Sequence, residues 1–392
     1  MKKIRMGIIG IGNMGTAHAN AIFQGKTEGL ELTAVCDIDS GRLEWAKHNL
    51  GPDVFLYSDY RLMINEGKVD AVLIATPHCL HPSMAIDCFS AGLHVLTEKP
   101  SGIDILNVRK MNEAAQKSGK IFGIMYNQRT NPLFARLKEL VEEGTLGDMK
   151  RFIWIVNNWY RSQAYYDSGK WRGSWMGEGG GVLINQAYHN LDIWQWITGM
   201  PKRLRAFCKY GYYHNITVED DVTIYGEYEN KASAVFITST GEYPGTNRIE
   251  YSGTKGKAVI EEGVLKLYLY DMDEREFCFV SDESFPKMDI YYEEYKEQGP
   301  ENGHIAILKN FADAILYNKP LLAPGYEGIN GLIICNGAYI SDWMDCWVDL
   351  PPDENLYLRF LKERQDSEGC IKKNYIASNS VDDYSERWKV RW

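Results

Sequence analysis

The spacing of hydrophobic positions along the 392-residue chain changes character near residue 125. Before it, compact apolar runs at Ile4 to Ile9, Leu30 to Cys36, Asp70 to Ala75 and Leu93 to Thr97 alternate with helix-like stretches at Gly15 to Phe23, Arg42 to Asn49 and Ser83 to Ala91. Alternation of this length predicts a parallel sheet covered by helices on both faces, an α/β domain over residues 1–125. After it, Met149 to Asn157, Arg203 to Tyr210, Thr223 to Tyr228, Ala232 to Thr240, Arg248 to Ser252 and Val264 to Tyr270 are β-rich, and several alternate apolar with polar side chains. Alternation by two turns one face to a core and the other to water, so residues 126–362 are expected to form an α+β domain around a large, mostly antiparallel open sheet. Helices are expected at Pro132 to Glu143, Gln186 to Thr198, Gly303 to Leu316 and Gly328 to Trp347. The polar stretch 363–392 has no clear period and reads as a C-terminal extension or a partner-contacting arm.

The loop after the first strand carries Gly10, Gly12 and Gly15, a G-x-G-x-x-G set in strand, loop, helix context. The first glycine permits the tight turn, the second lets backbone approach a pyrophosphate, and the third lets helix and strand pack closely. Asn13 and Met14 lie inside this motif. Asp37 ends the second strand about 20 residues beyond the loop, where a carboxylate accepts both ribose hydroxyls of an adenosine and repels a 2'-phosphate. A Rossmann domain binding NAD is the reading, with Ile38 beside the acid. Arg42 is close enough in sequence to leave some tolerance for NADP.

Charge and composition narrow the alternatives. A formal net charge of -10 argues against a general affinity for nucleic acid or anionic membrane, which needs clustered Lys and Arg. Eight cysteines without any CxxC argue against a zinc ribbon or a thioredoxin-like motif. The apolar run behind Lys2 and Lys3 is too short for a secretory signal, no stretch is long enough to span a bilayer, and a cytoplasmic location is expected.

Glu98-Lys99-Pro100 follows an apolar strand, which places Lys99 at the carboxyl end of the sheet where ligands sit in open α/β folds. Farther on, GGGVLINQAYHNLD (Gly179 to Asp192) runs from a glycine loop into a helix, with Asn185 and His189 four apart, on one face if the helix begins early. With GIIGIGNMG, CDID, ATPHCLH and EKP in the same order, the chain resembles the Gfo/Idh/MocA oxidoreductases (glucose-fructose oxidoreductase, inositol dehydrogenase, rhizopine catabolism) over approximately residues 4–350. The resemblance implies that Lys99 and His189 face the nicotinamide. It also implies that the turn Ala75-Thr76-Pro77-His78, with His81, borders the cofactor together with Glu98, and that Asn127 projects back into the cleft. Many members carry an aspartate where this chain has Asn185, and an amide orients neighbours without sharing a proton. An imidazole suits proton removal from a hydroxyl near neutral pH, which makes His189 the base, while a desolvated Lys99 stabilises the developing alkoxide. The two roles could be exchanged. Two histidines and Cys79 in the 76–82 turn tempt a metal assignment, but hydride transfer needs none and no complementary ligand cluster is written elsewhere, so no metal is expected.

Trp159, Arg161, Tyr165, Trp171, Arg172 and Trp175 crowd the stretch before the glycine loop. Aromatic faces bury the C–H surface of a pyranose while Arg and Gln186 bond its hydroxyls, so a carbohydrate wall is one reading and an aromatic subunit interface the other. Glu178 reads equally as a site carboxylate or a solvated loop charge. The expected activity is NAD-dependent oxidation of a secondary alcohol on a sugar, glycoside or cyclitol, by a homodimer or homotetramer. A redox-neutral conversion through transient oxidation and elimination, and a non-catalytic NAD sensor or scaffold, are the alternatives.

Overall fold

The computed structural model describes residues 3–169, 171–296 and 303–368. Strands β1 (Ile4–Ile9), β2 (Leu30–Cys36), β3 (Phe55–Tyr57), β4 (Ala71–Ile74), β5 (His94–Thr97) and β6 (Phe122–Ile124) form one all-parallel sheet. Their order, β3-β2-β1-β4-β5-β6, is doubly wound. Chain direction across the sheet reverses between β1 and β4, and the loops leaving those two strands part to open a crevice at their carboxyl ends. The strands are uninterrupted apolar runs because both faces are covered: Ile8, Val35, Val72, Leu73 and Leu96 are fully buried.

The second sheet comprises β7 (Met149–Val156), β8 (Arg203–Tyr210), β9 (Glu219–Glu227), β10 (Ser233–Ser239), β11 (Asn247–Gly253), β12 (Gly256–Glu261), β13 (Val264–Tyr270), β14 (Ile290–Lys296) and β15 (Val348–Asp349). They run in the order β14-β13-β12-β11-β7-β10-β9-β8-β15, with β7 and β10 parallel and the other described pairings antiparallel. Phe152, Trp154, Ala234 and Phe236 point into the core, whereas Ile153, Ile155, Val235 and Ile237 are half-buried on the open face. On the packed face, the Trp194 ring lies parallel to Phe236 at 5.7 Å and anchors the Tyr188–Thr198 helix. That helix is tied to the first sheet by a buried ion pair, in which Arg129, just after β6, grips Asp192 through Nε (2.8 Å) and Nη2 (2.7 Å). A two-bond fork of this kind fixes orientation as well as distance.

Two differences from the sequence reading concern elements. The helix expected from Gln186 starts at Tyr188, because residues 182–187 are turns held by Glu219. Residues 363–368, expected to lack a pattern, are the last turns of a Glu354–Glu368 helix. The rest of the expected extension, with Cys370, lies outside the described residues. Among the described residues no helix is long and apolar enough to cross a membrane, no His, Cys, Asp and Glu group is arranged for a metal, and seven cysteines are free.

Candidate active site

The glycine loop sits in the crevice between β1 and β4. Gly10 has φ +87°, in the left-handed region, and a Cβ there would press on the Ala75 carbonyl oxygen at 2.8 Å. A Cβ at Gly15 would overlap the Gly10 carbonyl oxygen, so this glycine is demanded by packing. Gly12 is different: a Cβ on it would meet nothing within 4 Å, so it borders open space at the start of the Asn13–Phe23 helix. No side chain caps that helix start, which leaves first-turn amides of Asn13 and Met14 for an anion. Asp37 is held at the rim, one carboxylate oxygen accepting from Ile11 N (2.8 Å) and the other from Asp39 N (2.9 Å). Ile38 beside it is 94% exposed, an apolar surface without a protein neighbour to cover it, and Arg42 lies half-buried on the next helix. The Oδ1 atom of Asn127 is buried and has no hydrogen-bond partner among the described residues. An open Gly12, uncapped amides, a rim carboxylate and an orphaned amide oxygen fit a dinucleotide.

Lys99 stands just after β5, and its Nζ donates to the Asn185 carbonyl at 2.9 Å, joining the first sheet to the turns before the Tyr188–Thr198 helix. Burial lowers its pKa; the carboxylates of Glu98 and Glu178 oppose that, and Arg172 and Arg161 add to it. His189, second residue of its helix, has an Nδ1 that is buried with no partner among the described residues. Its pKa lies well below the ordinary imidazole value, first through burial and then through the charge of Lys99. The ring edge faces Tyr126 with centroids 6.4 Å apart. The late helix start changes the part played by Asn185, which lies outside the helix. Its main-chain oxygen holds Lys99, and its amide nitrogen donates to Glu178 and, at 3.4 Å, to the Tyr165 hydroxyl.

Glu178 is buried at 1% exposure, which settles its environment as interior. Its Oε2 accepts from Gly173 N at 2.7 Å, and burial raises its pKa against the pull of Arg172. The Tyr165 hydroxyl also accepts from Arg172 (2.6 Å) and Gln186 (3.0 Å). Trp171 lies between Arg172, 4.6 Å from the ring centroid, and His78 at 5.7 Å. Arg161 lies over the Tyr165 ring. Trp171, Arg172, Tyr165, Gln186 and Arg161 are thus gathered near Lys99, whereas the expected wall residue Trp175 packs elsewhere. Trp175 is 3% exposed, packed on Tyr339 and Trp343, with its indole donating to the Thr217 carbonyl and its amide to Glu368. It belongs to the seat of the Glu354–Glu368 helix. Trp159 is buried at 6% exposure.

The histidines of the 76–82 turn act within the protein. Both ring nitrogens of His81 meet main-chain carbonyls, of Pro100 at 2.7 Å and Thr76 at 2.8 Å, which locks the turns after β4 and β5 together. His78 Nδ1 reaches the Glu178 carbonyl at 3.2 Å. Glu98 lies beneath Lys99 and is paired with His18 Nε2 at 2.7 Å. Burial opposes its charge, yet the His18 bond and the charges of His18 and His304 hold its pKa at about 2. His18, His304 and Glu219 were missed from sequence. Glu219 fixes the glycine run by accepting from Gly181 N (2.9 Å), Leu183 N (3.0 Å) and the Tyr339 hydroxyl (2.8 Å). The available signal was its position at the head of a strand.

Comparison with known proteins agrees with this geometry. Residues 4–126 match the NAD-binding Rossmann fold of the Gfo/Idh/MocA oxidoreductases, and residues 134–259 match a C-terminal domain of the same family. The chain belongs to the Gfo/Idh/MocA family. It is an oxidoreductase whose cofactor is NAD. The myo-inositol 2-dehydrogenase of Thermotoga maritima is 24% identical over 341 residues, 84% of this chain and 94% of that protein. The rhizopine catabolism protein MocA of Rhizobium meliloti is 31% identical over 208 residues, 53% of this chain and 61% of that one. Among solved structures, the WlbA dehydrogenase of Bordetella pertussis in complex with NADH and UDP-GlcNAcA is 26% identical with a TM-score of 0.75, covering 90% of this chain and 100% of that one.

Proposed function

We propose that this family member is a cytoplasmic dehydrogenase that oxidises a secondary alcohol on the ring of a sugar, glycoside or cyclitol. The observation that carries the reading is the meeting of Lys99, from the cofactor sheet, with the Asn185 carbonyl, four residues before His189 and beside the glycine-loop crevice. The named activities of the inositol dehydrogenase, and the sugar nucleotide held by the WlbA dehydrogenase, support a polyhydroxylated ring. NAD, when bound, supplies the hydride acceptor. The chain's own residues then have proton work to do. Because burial favours the neutral form of His189, its Nδ1, which has no hydrogen-bond partner among the described residues, is free to take the proton of a substrate hydroxyl. Lys99, aimed by the Asn185 carbonyl, keeps further N–H bonds for the same oxygen as negative charge grows on it. Trp171 and Tyr165 offer flat faces to the ring, and Arg172 and Gln186 are donors beside them.

Half-buried Ile153, Ile155, Val235 and Ile237 on neighbouring strands of the open face support a homodimer or homotetramer, which light scattering would measure. The activity is tested by following NADH absorbance against monosaccharides, inositols and glycosides, with protein checked for cofactor that copurifies. Substrate-dependent NADH formation is the expected result. Incorporation of solvent deuterium without NADH accumulation would assign the redox-neutral course, and no reduction and no exchange across the panel would leave a sensor or scaffold.

A further inference from the structure

Resting on that reading and deepening it, we infer that Glu368 is a positioning residue for the substrate wall: its carboxylate grips the back of the segment that presents Trp171, Arg172 and Glu178 to the Lys99 pocket. The side chain is buried, with the residue 8% exposed, at the end of the Glu354–Glu368 helix. Its Oε1 accepts from Trp175 N at 2.9 Å and from the Thr217 hydroxyl, and its Oε2 accepts from Met176 N at 2.8 Å. Three positions earlier, Gln365 Nε2 donates to the Trp175 carbonyl at 3.1 Å. Sequence offers Glu368 a simpler partner, because Arg364 stands four residues before it on the same helix, the spacing of an ordinary surface ion pair. The fold uses both differently. The Arg364 guanidinium lies over the Trp343 ring, 4.1 Å from its centroid, and the carboxylate turns to two successive main-chain amides 193 and 192 positions away.

Bonds to a charged acceptor are short and directional, so they set the rotation of the segment, whereas the apolar packing of Trp175 on Tyr339 and Trp343 sets its depth. The outer flank has little else to hold it, Met176 being 59% exposed. The turn is also wound tightly enough to pass a shift on. Ser174 joins its two limbs, with Oγ donating to the Trp171 carbonyl at 2.9 Å and the main-chain oxygen accepting from Glu178 N at 2.9 Å. A Cβ on Gly177 would overlap the Trp171 carbonyl oxygen, which leaves no room between the limbs. A displacement at residues 175 and 176 therefore reaches Trp171 and Arg172, beside His78 and Tyr165, and Glu178, which holds the Asn185 amide.

The test is Glu368→Gln in the full chain, which keeps the size of the side chain and one acceptor oxygen but sets an NH2 group against one of the two amides. With NAD and the substrate turned over fastest in the panel, substrate KM should rise about 10-fold, while kcat and the KM for NAD stay within about three-fold of the parent's. Two controls on the same helix separate positioning from folding. Glu363→Gln makes the same charge change at an exposed site and should leave the kinetic constants and the melting temperature as they are. Leu361→Ala opens a cavity at a residue 3% exposed and should lower the melting temperature without raising substrate KM, since loss of folded enzyme scales kcat alone. A substrate KM unchanged in Glu368→Gln, or raised equally in Leu361→Ala, overturns the inference and leaves the dehydrogenase reading intact. Absence of turnover by the parent enzyme across the panel overturns both.

Discussion

The glycine loop and the Lys99–His189 pocket lie at one crevice yet are built in opposite ways. The loop is backbone: Gly10, Gly12 and Gly15 fall within six residues of contiguous chain, and their merit is the absence of side chains. The pocket is side chain: Lys99 comes from the end of β5, Glu178 and Asn185 from the turns before the Tyr188–Thr198 helix and His189 from that helix, and hydrogen bonds across 86 and fewer positions of sequence hold the first three. A backbone site needs a strand, a turn and a helix, which local sequence supplies. A side-chain site needs buried charges to be balanced by partners that only the fold brings together.

The comparison breaks most sharply at the reacting pair. Lys99→Ala and His189→Ala are each expected to lower kcat by on the order of 10²–10⁴-fold while NAD affinity, measured by fluorescence titration, stays within a few-fold of the parent. Near-normal turnover in either variant would remove that residue from the chemistry. Gly12→Val should do the reverse. Its Cβ meets nothing within 4 Å and its φ of -66° suits any residue, so the cofactor-free protein should melt at the parent's temperature. The added side chain occupies the open space of the crevice, and NAD affinity should fall by on the order of 100-fold. Gly15→Ala, which would overlap the Gly10 carbonyl oxygen, should destabilise the fold itself and so separates a packing glycine from a ligand-facing one.

This contrast also explains what could be read in advance. Four of the six strands of the first sheet were legible, because strands covered on both faces are uninterrupted apolar runs; the two three-residue strands were missed, β3 with one exposed and one half-buried residue, and β6, which is buried but too short to show a run. β14 was missed for a related reason, since Ile290, Tyr291 and Tyr292 are exposed at a sheet edge and show no alternation. In the site, Lys99 and His189 came from motifs, but their supports did not. Trp171 and Trp175 look alike in sequence, four apart and flanked by Arg and Ser, and nothing in that spacing says that one lies beside Arg172 and His78 while the other seats a distant helix. Asn185 was read as a side chain on a helix, whereas its main-chain oxygen does the holding because the helix begins at Tyr188. The His18–Glu98 pair joins residues 80 apart, which periodicity does not record.

A smaller effect is expected at Glu178, which positions Asn185 and hence the oxygen that holds Lys99. Glu178→Gln keeps one acceptor oxygen, for either the Asn185 amide or Gly173 N, turns the other position into a donor, and removes the negative charge felt by Lys99 and Arg172. kcat should fall about 10-fold, in line with loss of a charge-assisted hydrogen bond. The alkaline limb of the pH profile should move to lower pH, because the carboxylate raises the Lys99 pKa in the parent. A purely structural role would lower kcat without moving that limb.

The finest test separates burial from charge at His189. Its folded pKa is depressed, so the imidazole stays neutral as pH falls through the usual value of about 6.5, and protonation comes only at lower pH. The acid limb of kcat/KM for alcohol oxidation should therefore lie below 6.5, and a limb at or above that value would contradict a base buried in this way. Burial is the larger cause and the Lys99 charge the second. In Lys99→Met the imidazole resonances, titrated by NMR, should shift their midpoint upward, since a repelling cation is gone. They should still stop short of the ordinary value, because the apolar enclosure remains. A midpoint unchanged by the substitution would mean that the amine and the imidazole do not sense one another, and the pocket would then be two separate buried groups sharing a crevice.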